Sequence, residues 1–291
     1  MATGKLAYPR DSARKLMLRQ GMVCPSCGTQ AGHVVDRKYL ITALRRCDAC
    51  GLLYRTPTTS VAENRVFYQA AYAQGLTTYL PSDQELELLL KNRFQGKNDY
   101  QGYIDVLDAI GCKNGDRLLE FGCSWGYGSW QLRQRGFEVE SFEISQPRAK
   151  YAREKLGIHI RELTDIGTGS YDIFFSAHVL EHVPSVNATV ELALRALKPG
   201  GVFVAFTPNG SAAFRSRNPA SWHQMWGNVH PQLLDEVYYK SQFKAYDYVM
   251  DSLPFDLNGL KQWAAAQSGP ASLDLSGELL LCVCRKPLKQ A

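Results

Sequence analysis

The stretch "DRLLEFGCSWGYG", Asp116 to Gly128, decides how the rest of the chain is read. Leu118 to Phe121 form a short apolar run interrupted only by Glu120, which reads as a buried strand, and Gly122 ends it. Gly122 and Gly126 permit a tight turn and let a ligand approach the backbone closely. "WGYGSWQLRQRG" then reads as a helix closed by Gly136. This is not a phosphate loop: it lacks GKS or GKT and a complete GxGxxG, and Glu120 would repel a pyrophosphate. A carboxylate there suits a cationic ligand. Glu143, 21 positions after Gly122, closes the next strand, where a carboxylate can accept both hydroxyls of a ribose.

Strand and helix alternate outward from this point. "EVESFEIS", "HIRE", "YDIFFSA", "GVFVAFTPN", "AYDYVMDSL" and "GELLLCVCRKP" read as strands, with "QPRAKYAREKLG" and "SVNATVELALRALKPGG" as helices between them. That order implies an α/β, doubly wound, mostly parallel seven-stranded sheet covered on both faces. The alternation in the last strand puts Cys282 and Cys284 in the core. Val61 to about Ile110 shows helical patterning, with the loop "AQGLTTYLPS" inside it. We therefore expect an N-terminal unit over 1–58, a helical linker or lid over 59–108, and the α/β domain over 109–291 with an insertion at about 208–243. The lid could bring Tyr68, Tyr72 or Tyr79 near the ligand.

The chain has 291 residues, 45% hydrophobic and 21% charged, which suits about two domains with a real core. No apolar run reaches the roughly 18–20 residues of a membrane span, and the basic N-terminus lacks the apolar stretch of a secretory signal. A cytoplasmic protein is expected. The net charge of +5 is scattered in clusters such as Arg45-Arg46, too sparse for the basic stripe of a dedicated nucleic-acid binder.

In "MVCPSCGTQAGHVVDRKYLITALRRCDACGLLYR", Cys24-x-x-Cys27 and Cys47-x-x-Cys50 are separated by nineteen residues. Each pair is followed by a glycine, Gly28 or Gly51, that lets backbone amides turn toward the thiolates. In a reducing compartment such pairs read as metal ligands before disulfides. Two knuckles on one tetrahedral Zn²⁺ make a zinc ribbon, a unit too small to fold without its metal. With four cysteines completing the shell, His33 is a surface residue.

The expected ligand has a ribose, a cationic close-packed tail and no phosphate, conditions that S-adenosylmethionine meets. The pieces "LLEFGCSWG", "EVESFEIS", "YDIFFSAHVLEHV" and "LKPGGVFVAFTPN" stand in an order and spacing that resembles the class I S-adenosylmethionine-dependent methyltransferases, a Rossmann-like fold. The resemblance implies that Glu120, Gly122, Cys123, Ser124 and Gly126 line the methionine end, and that Ser176 lies near the same pocket. It implies that Glu143 holds the ribose, that Ile144 flanks the adenine, and that Glu162 or Leu163 sits near its amino edge. Ser124 departs from the family's usual glycine. Together, the ribbon, "FYQAAY" and this core resemble methyltransferases of bacterial saccharide and polysaccharide pathways, implying O-methylation of a saccharide or other small-molecule hydroxyl.

The string His178-Val179-Leu180-Glu181-His182 matches the inverted zinc-peptidase signature. Pro184 limits it to about two windings, and it follows the fourth strand of a methyltransferase-like sheet, so a peptidase is not expected. Helical spacing would let His178, Glu181 and His182 converge. They could serve as a general base, with His182, His178 or His230 taking the acceptor's proton. They could also bind a second divalent cation, as a similar acid-x-x-Glu-His does in ubiquinone-pathway and small-RNA 2′-O-methyltransferases; here His178 replaces the first acid and His223 or His230 would complete the set. Or they could only tie the turn to its neighbours. Trp222 and Trp226 in the insertion suit stacking on an acceptor, or pinning of the insertion to the sheet. Two rivals remain: an RNA methyltransferase with the ribbon as clamp, and a non-catalytic protein that retains the fold.

Overall fold

The computed structural model describes residues 7–70, 79–96, 98–266 and 269–288. Helix α1 (Ala7–Met17) leads into a small antiparallel unit of β1 (Gly32–Lys38), β2 (Thr42–Cys47) and β3 (Leu53–Thr56). Three helices follow: α2 (Val61–Ala70), α3 (Asp83–Lys91) and α4 (Gln101–Ala109). The α/β region runs β4 (Arg117–Phe121), α5 (Tyr127–Arg135), β5 (Glu138–Phe142), α6 (Gln146–Leu156), β6 (His159–Ile160), β7 (Tyr171–Ala177), α7 (Val186–Ala196) and β8 (Leu197–Pro208). The insertion holds α8 (Ala212–Arg217), α9 (Pro219–Met225), β9 (Gln232–Leu233) and α10 (Glu236–Gln242). β10 (Asp247–Ser252), α11 (Leu257–Ala266), β11 (Ala271–Ser272) and β12 (Leu279–Arg285) complete the chain.

The large sheet has the order β11-β10-β12-β8-β7-β4-β5-β6. It is parallel from β8 through β6, with β12 antiparallel to β8 and β10. All seven expected strands are present, and the two-residue β11 adds an eighth at the edge, too short to carry a periodic signal. Both faces are packed. Leu119, Phe174, Phe203, Cys282 and Cys284 belong to one core cluster, while Leu118, Ile173, Phe175, Val204 and Val283 belong to the other. Continuous apolar runs are what a sheet covered on both sides demands, and the two late cysteines are core residues, as the alternation indicates. Helices α5 and α6 stop at Gly136 and Gly157, both left-handed. Strand order reverses at β4, flanked by β5 and β7, which opens a crevice at the carboxyl ends of β4 and β7.

The four sulfurs of Cys24, Cys27, Cys47 and Cys50 lie within 4.8 Å of one another. Gly28 and Gly51 have φ of 76° and 78°, and their amides close each knuckle onto the Cys24 and Cys47 carbonyls. His33 is exposed and pairs with Asp48 at 3.1 Å, outside this cluster. β3 also pairs with β9 of the insertion, making one four-stranded sheet, β1-β2-β3-β9. Trp222 and Trp226, only 2% and 1% exposed, pack with Leu44, Leu53, Phe214 and Leu233 between ribbon and insertion. Their N–H groups donate to the Gly210 carbonyl and the Asp36 carboxylate, and Arg215 and Lys38 cover their rings. The indoles therefore pin the insertion and offer no stacking platform. Among the described residues, no helix is long and apolar enough to cross a membrane.

Candidate active site

A cavity of about 520 Å³ opens at the ends of β4 and β7 and runs continuously from Glu143 to His230. Gly122 (φ 89°) forms part of its floor, where a Cβ would sit 2.4 Å from Val179 Cγ2. Ser124 is also left-handed, with φ of 54°. Its strain is offset by two anchors: its amide donates to Glu143 Oε2 at 2.8 Å, and Arg148 Nη1 donates to its hydroxyl at 2.6 Å. Glu143 Oε1 accepts the Ser145 amide at 2.7 Å. Burial pushes the Glu143 carboxyl up to about 7 against these donors and the nearby Arg148 cation.

Ile144 and Leu163 line the cavity beside Glu143, and His178, Glu181, His182 and His230 line its other end. Glu120, Cys123, Gly126, Glu162 and Ser176 do not line it. Glu120 is buried beneath the floor, bonded to Ser129 and, at 3.1 Å, to the Tyr100 hydroxyl. Burial raises it to about 7. Cys123 is buried, Gly126 caps α5, Glu162 is exposed before a short 3-10 turn, and Ser176 lies wholly buried in β7. Gly128 makes room for Tyr100: a Cβ there would sit 2.2 Å from the phenol ring. Tyr79, half exposed, bonds Glu85 on α3, while Tyr72 and the side chain of Tyr68 lie outside the described residues.

His178 to His182 form a turn and not the helix expected from their spacing. His178 takes φ of 56°, which no helix tolerates, and the His182 amide closes the turn onto the Val179 carbonyl at 2.9 Å. The three side chains still converge. Glu181 Oε1 lies 3.8 Å from His178 Nδ1 and 3.7 Å from His182 Nε2. The set that closes tightest, within 4.8 Å, is Glu181, His182 and His230, with His178 outside it. His223 is turned away onto Asp36 of β1 at 2.6 Å.

The protonation of this set follows from its partners. His182 Nδ1 meets the Val229 carbonyl at 2.7 Å, and His230 Nδ1 meets the Met225 carbonyl at 2.8 Å. A carbonyl only accepts, so each ring carries its proton on Nδ1. Glu181 is fully buried, and neither of its oxygens accepts a hydrogen bond among the described residues. Burial pushes it up to about 8 and pushes His182 down to about 3. Two imidazoles oriented by backbone carbonyls beside a buried carboxylate lacking donors form a set with electron pairs in excess of protons. Such a set calls for a cation or a shared proton. Tyr103 bonds His178 Nε2 at 3.2 Å, and Asn64 holds the His182 carbonyl at 2.9 Å. Tyr100, Tyr103, Asn64 and Arg148 gave no sequence signal, because they reach the site from helices α2, α4 and α6 and from the residue that caps α4 only once the chain is folded.

The methyltransferase-domain family matches residues 56–253, more than half of the chain. The ubiquinone biosynthesis O-methyltransferase of Bordetella avium (strain 197N) is 30% identical over 127 residues, 40% of this chain and 50% of that protein. The malonyl-[acyl-carrier protein] O-methyltransferase of Serratia marcescens is 29% identical over 121 residues, 40% of this chain and 47% of that protein. The chain thus spans about half the length of these curated relatives. The geranyl diphosphate C-methyltransferase of Streptomyces coelicolor A3(2) shares the fold at 14% identity, with a TM-score of 0.50 over 78% of this chain and 100% of that one. With the family match running from the end of β3 through β10, over the crevice where the strand order reverses, the chain belongs to the methyltransferase-domain family and has the class I S-adenosylmethionine-dependent methyltransferase fold.

Proposed function

We propose that the chain transfers a methyl group from S-adenosylmethionine to a hydroxyl of a small molecule. The observation that carries this reading is the single chamber with Glu143 at one end and Glu181, His182 and His230 at the other. Gly122 and Ser124 would cradle the methionine end, and Glu143 would accept the ribose hydroxyls. The residues fit: the glycine floor has no room for a side chain, and the Glu143 carboxylate is already oriented by two amides. Bound there, S-adenosylmethionine supplies a sulfonium methyl that an acceptor oxygen takes by direct displacement, leaving S-adenosylhomocysteine. The chain's part is to hold the reacting groups in line and to keep water out.

An acceptor hydroxyl must lose its proton as the methyl arrives. His182 and His230, each with its ring proton committed to a carbonyl, can take that proton on Nε2. The same three residues fit a divalent cation, which would lower the acceptor's pKa. The names of the curated relatives support oxygen as the methylated atom. The buried indoles remove the sugar-stacking platform suggested by the sequence. Tyr103, Val61 and Val183 wall the acceptor end and favour a compact, apolar or aromatic carrier of the hydroxyl. An RNA acceptor is disfavoured by the modest net charge of +5, which is scattered and forms no dense basic stripe.

The test is to incubate the chain with tritiated-methyl cofactor and fractionated metabolites, lipids, glycans and RNA. Label is expected among small molecules, and label confined to RNA or absent from every fraction would refute the proposal. Glu181→Gln and His230→Ala should each cut labelling by roughly 10²-fold, the usual scale of acid–base assistance, with S-adenosylhomocysteine affinity unchanged by calorimetry. Silent variants would leave the cluster a structural tie.

A further inference from the structure

The four-cysteine ribbon touches the acceptor end of the chamber from two sides. Ser26 sits between Cys24 and Cys27, and its hydroxyl accepts the Val186 amide at 3.0 Å and the Asn187 amide at 3.4 Å. These are the first two amides of α7, four and five residues after His182. They would otherwise be orphan donors at a helix start, where Ser185 serves only Ala188. On the other side, β3 pairs Leu53 with Leu233 and Tyr54 with Gln232, and the Arg55 amide donates to the Pro231 carbonyl at 2.7 Å. Pro231 follows His230. Gln232 then donates its side-chain amide to the Val183 carbonyl, tying β9 to the turn that carries Glu181 and His182. Arg46 on β2 pairs with Asp235, which caps α10. The cofactor end is held otherwise, by β4, β5 and the Ser124–Arg148 contact.

We propose that the ribbon is a positioning element for the acceptor end: Ser26 fixes the start of α7 and β3 fixes β9, so that Glu181 and His182 meet His230 from two segments registered on one small thiolate unit. This rests on the methyl-transfer reading for its consequence and not for its geometry. Ser26 is a positioning residue, touching neither cofactor nor acceptor. The state of the ribbon then governs methyl transfer while leaving cofactor binding alone.

The experiment uses the full chain with Ser26→Ala, Ser26→Thr and Gln232→Ala, and S-adenosylhomocysteine as the probe. Ser26→Ala removes a helix-cap acceptor, so amide exchange at Val186 and Asn187 should accelerate about tenfold. Exchange through 178–183 should rise with it, and labelling of the acceptor fraction should fall about tenfold. The S-adenosylhomocysteine Kd should stay within about twofold, with zinc content kept. Ser26→Thr, which retains the hydroxyl, should restore exchange and labelling, and Gln232→Ala should loosen 178–183 without touching Val186. Unchanged exchange through 178–183 in both alanine variants overturns the proposal, and so does a parallel loss of S-adenosylhomocysteine affinity. If the wild-type chain labels no fraction, the methyl-transfer reading fails, and the exchange measurements still decide the positioning role.

Discussion

Glu143→Ala is expected to weaken S-adenosylhomocysteine binding by roughly 10²–10³-fold in calorimetry. A carboxylate accepting two ribose hydroxyls makes two charge-assisted hydrogen bonds, each worth about 1.5–3 kcal/mol. Its loss also frees the Ser124 and Ser145 amides that it now accepts, so the left-handed floor at Ser124 loses one of its two anchors. Glu143→Gln separates charge from shape and should lie between wild type and alanine. A pH dependence follows. Burial raises the Glu143 carboxyl from 4.5 to about 7, with Arg148 on α6 opposing that rise and Glu120 on β4 placing a second carboxyl nearby. Only the ionised form accepts from both hydroxyls, so affinity should be greatest above pH 7. Below it, affinity should fall by up to tenfold per unit. Affinity that is flat from pH 5.5 to 8 in wild type, or unaltered in Glu143→Ala, would remove the ribose role from this residue.

The sequence exposes the fold where one physical rule acts alone. Leu118 and Leu119, and Ile173 to Phe175, are apolar on consecutive positions because both faces of their strands are covered, and no helix packing competes with that reading. The turn at Gly122, the strand end before Glu143 and the convergence of the two cysteine pairs are legible because a tight turn, a strand terminus and paired CxxC knuckles each impose a spacing. The string from His178 to His182 shows the limit. Its i, i+3, i+4 spacing is helical on paper, yet the left-handed His178 and the closure of His182 onto Val179 gather the same side chains in a turn. Trp222 and Trp226 were ambiguous for another reason. An indole ready to stack on an acceptor and an indole buried in a core have the same local sequence, and β9, the two-residue strand that decides between them, is too short for alternation to reveal. Glu120 illustrates a third case: a charge beside a glycine turn reads as ligand-facing, and only the folded chain shows Tyr100 and Ser129 satisfying it from behind.

The isolated chain should carry about one zinc, and Cys24→Ser should lose most of it, lowering the thermal midpoint by about 10 °C. The sulfurs stand 3.7 Å apart for Cys24 and Cys50 and 3.4 Å for Cys27 and Cys47, near the roughly 3.8 Å between thiolates that share one tetrahedral Zn²⁺ at a Zn–S distance of about 2.3 Å. Cys24, Cys47 and Cys50 are buried, and the hydrogen bond with Cys50 draws the Cys24 thiol below its ordinary range. Backbone amides turn toward these sulfurs, as the Cys50 amide does toward Cys47 Sγ at 3.4 Å, yet four thiolates packed this closely repel one another without a cation. In a unit of this size the metal's binding energy becomes folding energy. The cost is not confined to the ribbon. Leu44 and Leu53 form one wall of the cluster that buries Trp222 and Trp226, so an unravelled ribbon exposes two indoles and frees β9. At about 2–4 °C per kcal/mol for a chain of this class, a loss of some 3–4 kcal/mol corresponds to that shift. Zinc by elemental analysis and the melting curve by circular dichroism read the two halves of the expectation separately. A Cys24→Ser chain with full zinc and an unshifted midpoint would mean that the knuckles hold without metal, because the packing of Leu44, Leu53 and the two indoles suffices.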